Sequence, residues 1–438
     1  MQNLGPIACQ NRILTLARFY LLFIIASNMP IEIIFHCATY TFDVNFSATT
    51  SIPTPPSPND TCVANAVEAL VLGNLDFTPK VLDSLRQRND GDVFVGGVAI
   101  LFMMSQLALY ASNAASQQIL NAMRFNDTEQ IRCLFAAFGG GPKRRAREVD
   151  LNLYTFSKIY AGNDYPLTTQ AQDEIQELFD VGPENVDFNA PGSAEKINDE
   201  VARNMNNTVV DFIEPEILPY FDSLLMLDAF YLKGEWLKPF NYKDTQFRYF
   251  FGANNIVRKP TMYQRGTFLY YDSEKLGCQI MKLLYKADPD FKVAFLLPRS
   301  THGLPDLINR LKNGDDAAEA FYALREQEID VYIPKFDVTM ANQLKIPTQD
   351  AGINLIFNNA TAGLESIVTC NQPYVSEILQ QLTYQIDETG VGSITGIAVS
   401  SQQTSQSSHH VPVFRANRPF VYYLFYKRLL LAAGTVTY

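Results

Sequence analysis

The stretch Tyr231-Leu-Lys-Gly-Glu-Trp-Leu-Lys-Pro-Phe240 closes a nearly continuous apolar run, Leu224 to Leu232. Such a run is what a strand covered on both faces requires. Toward the C-terminus, Phe291 to Leu297 is a second one. In Glu328–Phe336 the apolar Ile329, Val331 and Ile333 alternate with polar neighbours, the period of a half-buried strand. Phe420 to Tyr438 predicts two buried strands joined at Lys427-Arg428. Toward the N-terminus the period changes. Residues 62–88 and 97–124 predict helices: Ile100, Met103, Met104 and Leu107 recur at helical spacing, and Ile119, Leu120 and Met123 follow. Residues 128–138 continue the pattern until Gly139-Gly-Gly-Pro142 stops it, and 195–213 predict another helix. Helices first and strands later indicate an α+β fold, not an alternating parallel one.

The chain has 438 residues, 47% hydrophobic and 18% charged, which is ordinary for a packed globular protein. No interior stretch has linker composition, so one large domain, residues 62–438, follows a short extension. A core of this size need not depend on disulfides. The net charge of −11 argues against nucleic-acid binding, which needs a basic face. Arg12 and Arg18 precede an apolar run, Phe19 to Ala26, too short to span a bilayer and followed by Asn28, Pro30 and Glu32. Residues 1–38 therefore predict a secretory signal, with a signal anchor as the rival reading, and nothing later is long enough to cross a membrane. Residues 39–61 form a Ser/Thr/Pro-rich tether. Five glycosylation sequons, at Asn45, Asn59, Asn126, Asn206 and Asn359, agree with a secreted, extracellular glycoprotein. The cysteines left after the signal, Cys62, Cys133, Cys278 and Cys370, are too sparse for a disulfide scaffold, and one bridge or buried free thiols both fit.

Nothing in the chain predicts catalysis. The histidines are His36, His302, His409 and His410, none beside a nucleophile motif. There is no Gly-x-Ser-x-Gly elbow and no phosphate-cradling loop. His409-His410 in a loop makes a poor metal site. The expectation is no enzyme activity, no metal and no cofactor, in a monomer.

From Cys62 to Tyr438 the chain resembles the serpin family. The opening stretch is similar to the family's Lys-Gly-x-Trp-x-x-Pro-Phe turn. The expected sequels follow in order: Thr245-Gln-Phe247, Pro260-Thr-Met262, Leu276 to Tyr285, Ile333-Pro-Lys-Phe336, Val375 to Leu379, Glu388-Thr-Gly390, Phe414 to Phe420 and Gly434-Thr-Val436. The resemblance implies about nine helices, three β-sheets and an exposed reactive loop. In inhibitory members a serine protease cuts this loop, which then enters the large sheet as a new strand and drags the acylated protease with it. The extracellular partner implied here is such a protease.

The same resemblance places the reactive loop at Thr389 to Val413 and the scissile bond near Thr404-Ser405. No Lys or Arg lies between Glu388 and Arg415, so a trypsin-like target is not expected. The loop hinge comprises Glu388, Thr389, Gly390, Val391, Gly392, Ser393, Ile394, Thr395, Gly396 and Ile397. The family's inhibitory pattern is Thr or Ser followed by a run of Ala, and Val391, Gly392, Ile394 and Ile397 depart from it. Val, Ile and Thr suit a strand by up to ~1 kcal/mol each, whereas each Gly opposes ordering by roughly 0.5–1 kcal/mol. About 1.4 kcal/mol of extra barrier slows insertion tenfold.

The sheet-opening region departs too. The family's Ser-Pro-x-Ser at the start of its second helix is Gly96, Gly97, Val98 and Ala99 here, its usual His is Gln380, and an Asn on the adjacent strand is Asp228; Asn198 is kept. With the usual hydrogen-bond set replaced, the expectation is a binding or carrier protein that inhibits poorly. The alternative is a working inhibitor in which these changes compensate one another. The one basic cluster, Lys143, Arg144, Arg145 and Arg147, follows a helix that several relatives use for glycosaminoglycans. A solvated loop, polyanion binding and convertase cleavage after Arg147 all fit it.

Overall fold

The computed structural model describes residues 61–139, 151–390 and 411–438. The predicted signal 1–38, the tether up to residue 60, Asn45, Asn59, Lys143, Arg144, Arg145, Arg147, Val391 to Ile397, and Thr404-Ser405 lie outside them.

The chain enters through α1 (Thr61–Arg88), whose buried face carries Ala66, Leu70, Leu75 and Leu82. After β1 (Phe94–Val95), the predicted 97–124 helix is two, α2 (Gly97–Ala108) and α3 (Asn113–Ala122). They separate at Ser112, whose hydroxyl caps α3 by accepting from Ala115 N, a stronger local choice than continuing the helix. Then come α4 (Glu129–Gly139), β2 (Leu151–Gly162), α5 (Thr169–Phe179), β3 (Glu184–Val186) and α6 (Ser193–Asn204). The helix predicted over 195–213 stops at Asn204 because Asn206 and Asn207 turn left-handed, with φ of 51° and 58°, which Asn tolerates. Strand β2 has no counterpart in the sequence reading. Asn152, Thr155, Ser157 and Lys158 break up its apolar residues, and its partners lie far along the chain.

The second half follows as β4 (Leu224–Gly234), β5 (Gln246–Phe251), β6 (Ile256–Ser273), β7 (Cys278–Leu284), β8 (Phe291–Pro298), α7 (Leu304–Leu311), α8 (Gly314–Tyr322), β9 (Arg325–Pro334), β10 (Phe336–Gln343), α9 (Lys345–Asp350), α10 (Asn359–Ala362), β11 (Val375–Ile386), β12 (Val413–Arg415), β13 (Phe420–Tyr426) and β14 (Leu429–Val436). One five-stranded sheet runs β10-β11-β4-β2-β3. The other strands form a nine-stranded sheet, β1-β14-β13-β8-β7-β6-β9-β12 with β5 on β6. The second and third sheets implied by the resemblance are thus continuous, because β6 is long enough to pair with β5, β7 and β9. Ten α-helices are counted among the described residues, in keeping with the about nine expected.

The five-stranded sheet is covered on both faces. One faces the main core through Met226, Phe230, Leu232, Leu382 and Tyr384. The other carries Leu225, Leu227 and Ala229, which belong to a second cluster with Ile197 and Val201 of α6. A salt-bridged Lys158 on β2 reaches Glu184 and Glu200, tying α6 to the sheet.

A disulfide joins Cys62 on α1 to Cys133 on α4 across a separation of 71 residues, leaving Cys278 buried and Cys370 exposed as free thiols. Closing a loop of that length restricts the unfolded chain. Replacing both Cys62 and Cys133 by Ala is expected to lower stability by about 2–4 kcal/mol, read as a lower guanidinium midpoint with a somewhat steeper slope, since the freed unfolded chain exposes more surface.

Candidate functional site at the opening of the five-stranded sheet

Strands β4 and β11 are parallel neighbours, paired from Val375 opposite Leu224 to Tyr384 opposite Leu232, with a bulge between Val375 and Glu377 and unbroken register after it. The family resemblance implies that a cut loop would enter the sheet between these two strands. In the middle of the ladder Gln380 lies directly opposite Asp228, and both are buried. The Gln380 amide donates to Asp228 Oδ2 at 2.8 Å and to the Gly96 carbonyl at 3.0 Å, while its Oε1 accepts from Gly96 N at 2.9 Å. The Ser157 hydroxyl donates to Asp228 Oδ1 at 2.5 Å. One side chain thus locks β11 to β4 and to the start of α2, and Ser157 carries the lock on to β2.

The glycines make this arrangement possible. Gly96 sits at the N-terminus of α2 without a capping side chain, and the Gln380 amide satisfies its backbone instead. A Cβ on Gly96 would lie 3.1 Å from Gln380 Nε2. A Cβ on Gly97 would collide with Thr78, whose hydroxyl donates to Asn74 Oδ1, which in turn bonds Leu430 O through its amide. Ala99 lies half-buried on α2 and brings no polar group. Asn198 stands apart from this cluster: its side chain pairs with both the N–H and the carbonyl of Ile213, holding the return from α6 to β4. Ser157 was not among the expected residues, since its strand was unread and its partner is 71 residues away.

The stretch Tyr231–Phe240 clamps the hinge. Trp236, the single tryptophan, donates from its indole to Asp387 O and from its backbone to Thr389 O, each at 2.9 Å. Phe240 N donates to Glu388 O at 2.8 Å. Asp387 Oδ1 accepts from Thr389 N and Gly390 N. Gly390 has φ of 84°, and a Cβ there would strike the carbonyl of Gly234, so only glycine fits. The Glu388 carboxylate takes Lys335 Nζ at 2.7 Å and Thr245 Oγ1 at 2.8 Å. Trp236, Thr245, Lys335 and Asp387 were not anticipated as hinge contacts, because no local pattern marks pairs so far apart in sequence.

Burial pushes the Glu388 carboxyl up, but Lys335 and Thr245 outweigh it and hold it below its ordinary value. A depressed folded value means that this tie is fully present above the unfolded value of about 4.3 and is lost as pH falls through the folded one. Trp236 emission is expected to change on acidification below about pH 4, and Glu388→Gln to flatten that change.

Among the described residues no three His, Cys, Asp or Glu side chains are placed to hold a metal, and no helix is long and apolar enough to cross a membrane. His302 is exposed in a turn. Of the sequons, Asn126, Asn206 and Asn359 are all exposed.

A family model described as Serpin (serine protease inhibitor) matches residues 72–438. The chain is 28% identical over 365 residues to "Antichymotrypsin-2" of Bombyx mori, covering 83% of this chain and 96% of the relative. It is also 28% identical over 366 residues to "Antitrypsin" of the same organism, covering 83% and 92%. The solved structure of Serpin48 from the insect Tenebrio molitor superposes with a TM-score of 0.70 at 22% identity, covering 85% of this chain and 98% of that one. Human thyroxine-binding globulin superposes with a TM-score of 0.70 at 16% identity, covering 84% and 98%. At those identities the two structures speak for the fold alone.

Proposed function

The chain belongs to the serpin family, and on that premise we propose that it inhibits a serine endopeptidase, offering Thr389 to Val413 as bait and taking the cut segment in between β4 and β11. One observation carries this reading. The place where a strand must enter is closed by a satisfied polar latch, Gly96–Gln380–Asp228–Ser157. A buried polar network holds one arrangement well only when every member is paired. The replacements at Gly96, Asp228 and Gln380 fit one another: the glycine gives room, and the longer amide reaches across to the aspartate.

The chemistry follows from the family. The protease serine attacks the carbonyl of Thr404, the amine of Ser405 leaves with a proton, and an ester joins the protease to the loop. Insertion breaks the parallel β4·β11 pairing and replaces it with two ladders, one on each side of the new strand. Each additional bond contributes about 1 kcal/mol net. The segment from Thr389 to Val413 contains no charge and a single proline, Pro412, so no ionised group has to be buried. A pocket that takes Thr or another small polar side chain is the expected target. The inhibitor names of the two Bombyx relatives agree with this reading. The protein acts outside the cell in this account, which the apolar N-terminal run, the exposed sequons and the disulfide support.

A carrier or regulatory protein that inhibits poorly is the second reading. It is favoured by Gly392 and Gly396, which resist ordering, and by Ile394 and Ile397, which are bulky for entry between strands. Replacement of the family's usual hydrogen-bond set also speaks for it, whereas the paired Gly96–Gln380–Asp228–Ser157 network speaks for the inhibitor. Incubation with trypsin-, chymotrypsin- and elastase-like enzymes separates the two. An SDS-stable one-to-one complex with a non-trypsin-like enzyme is expected; clean cutting near Thr404 without any such complex would favour the carrier.

A further inference from the structure

The hairpin β5–β6 and the return through β12 enclose a cleft of about 340 Å³, lined among others by Phe247, Arg248, Tyr249, Phe251, Arg415 and Asn417, with no carboxylate in its walls. Its aromatic residues are unusually open: Phe247 is 63% exposed and Tyr249 62%. Two guanidinium groups stack on one ring, Arg248 at 4.9 Å and Arg415 at 4.8 Å from the Tyr332 centroid. Arg258 stands 6.0 Å from Phe247 and 5.9 Å from Tyr249.

None of these three arginines makes an ion pair among the described residues. The neighbouring acids are already taken. Asp330 is held by Arg265 and by the Tyr263 hydroxyl, and Arg415 acts on it only at longer range. Glu388 is held by Lys335. Arg248 Nε is buried without a hydrogen-bond partner. The segment Thr389 to Val413 contains no Asp or Glu to supply the missing anion. In a chain of net charge −11, three guanidiniums without a carboxylate partner, Arg248 bonded to Gln246 Oε1 and Arg258 to the Phe247 carbonyl, form a local exception around open aromatic rings.

We infer that this cleft docks a carboxylate-bearing, partly apolar peptide segment of a protein partner. Stacking on Tyr332 holds the planar guanidiniums in place, which lowers the cost of ordering them around a carboxylate. Their N–H forks suit it in two parallel bonds, while Phe247 and Tyr249 bury an adjacent apolar side chain. The site lies beside the bait: Val413 follows Thr404 by nine residues, at most about 30 Å of extended chain. The partner is therefore the protease that attacks the loop, docked through an acidic surface segment. That identification rests on the function proposed above; the binding site itself does not.

The test uses an acetylated, amidated Glu-Phe-Glu tripeptide titrated calorimetrically into the full chain. Saturable binding is expected, weakened by added salt, and weakened about tenfold or more in the double variant Arg248→Ala with Arg415→Ala. A second pair, Phe247→Ala with Tyr249→Ala, alters only exposed side chains and is expected to weaken binding as well. Absence of binding at about 10 mM peptide, or equal binding by wild type and both double variants, overturns the site. A heparin hexasaccharide that binds more tightly than the peptide through the same arginines also overturns it, since the ligand would then be a sulfated polysaccharide. For any protease that wild type traps, the arginine variant is expected to lower the trapping rate about tenfold at unchanged stoichiometry; an unchanged rate overturns the protease as the occupant. If no protease is trapped but the tripeptide still binds, the inhibitor reading has failed and the site has not.

Discussion

A single cut near Thr404-Ser405 is expected to raise the melting temperature by tens of degrees. The intact five-stranded sheet keeps β4 and β11 as parallel partners, and parallel pairing is the less favourable kind per residue. After the cut, the segment beginning at Val391 is freed at its far end but remains tied at Glu388 to Gly390. Entering between β4 and β11 it runs antiparallel to both, and the sheet gains a strand flanked on each side. Val391, Ser393, Thr395 and Ile397 then point one way and Gly392, Ile394, Gly396 and Ala398 the other. The core face awaiting one set is apolar, with Met226, Phe230, Leu232, Leu382 and Tyr384 around the latch. At about 1 kcal/mol for each net hydrogen bond, plus the burial of Val and Ile side chains at about 1.5–3 kcal/mol each, the gain is large. A domain of this size shifts by roughly 2–4 °C per kcal/mol or less, so the sum carries the melt well beyond the error of a calorimetric scan. The hinge must let go in the process. The chain has to reverse beside Glu388 to Gly390 as Val391 enters the sheet, so the bonds from Trp236 to Asp387 and Thr389 are expected to rearrange and Trp236 emission to shift with the same time course.

Gln380→Ala is the second large effect. It removes the partner of the Gly96 N–H, the Gly96 carbonyl and one Asp228 oxygen together. Each buried polar group deprived of its partner costs about 1–3 kcal/mol, so a loss of about 4–6 kcal/mol is expected. The damage falls on the joint between β4 and β11. The variant is therefore expected to unfold at a lower temperature and, on mild warming, to convert to forms in which the sheet has opened, seen as self-association on size-exclusion chromatography. Gln380→Glu distinguishes the latch from mere packing. It sets a second carboxylate against Asp228, whose partner contact is now 2.8 Å long. Like charges so close cannot both ionise. The shared proton is held above the ordinary carboxylate value, so the variant is expected to be destabilised near neutrality and to recover as pH falls. Wild-type protein has the opposite slope at its hinge, where Glu388 is held low.

Much of the architecture was readable from local pattern. The apolar runs at Leu224 to Leu232, Phe291 to Leu297 and Phe420 to Tyr438 are β4, β8 and the pair β13 and β14. Strand β2 was invisible because a strand's identity lies in its partners: Leu151 pairs with Gly234 and Ala161 with Leu224, and nothing near residues 151–162 announces that. The helix over 195–213 was overrun because Asn206 and Asn207 read as tolerable helical residues until their left-handed backbone is seen.

The site shows the same division. Position in the family pattern singled out Gly96, Asp228 and Gln380, and they meet. What the pattern could not show is that their departures complement one another, since a sequence compared position by position registers three losses. Only the geometry turns them into one network, with Ser157 as its unanticipated fourth member.

Hydrogen exchange on the singly cut protein tests the central claim most directly. If the freed segment becomes a strand between β4 and β11, its amides from Val391 to about residue 403 will exchange as slowly as those of the two flanking strands, while β4 and β11 stay protected. Exchange of that segment at the rate of an unstructured peptide, with β4 and β11 unchanged, would contradict the account.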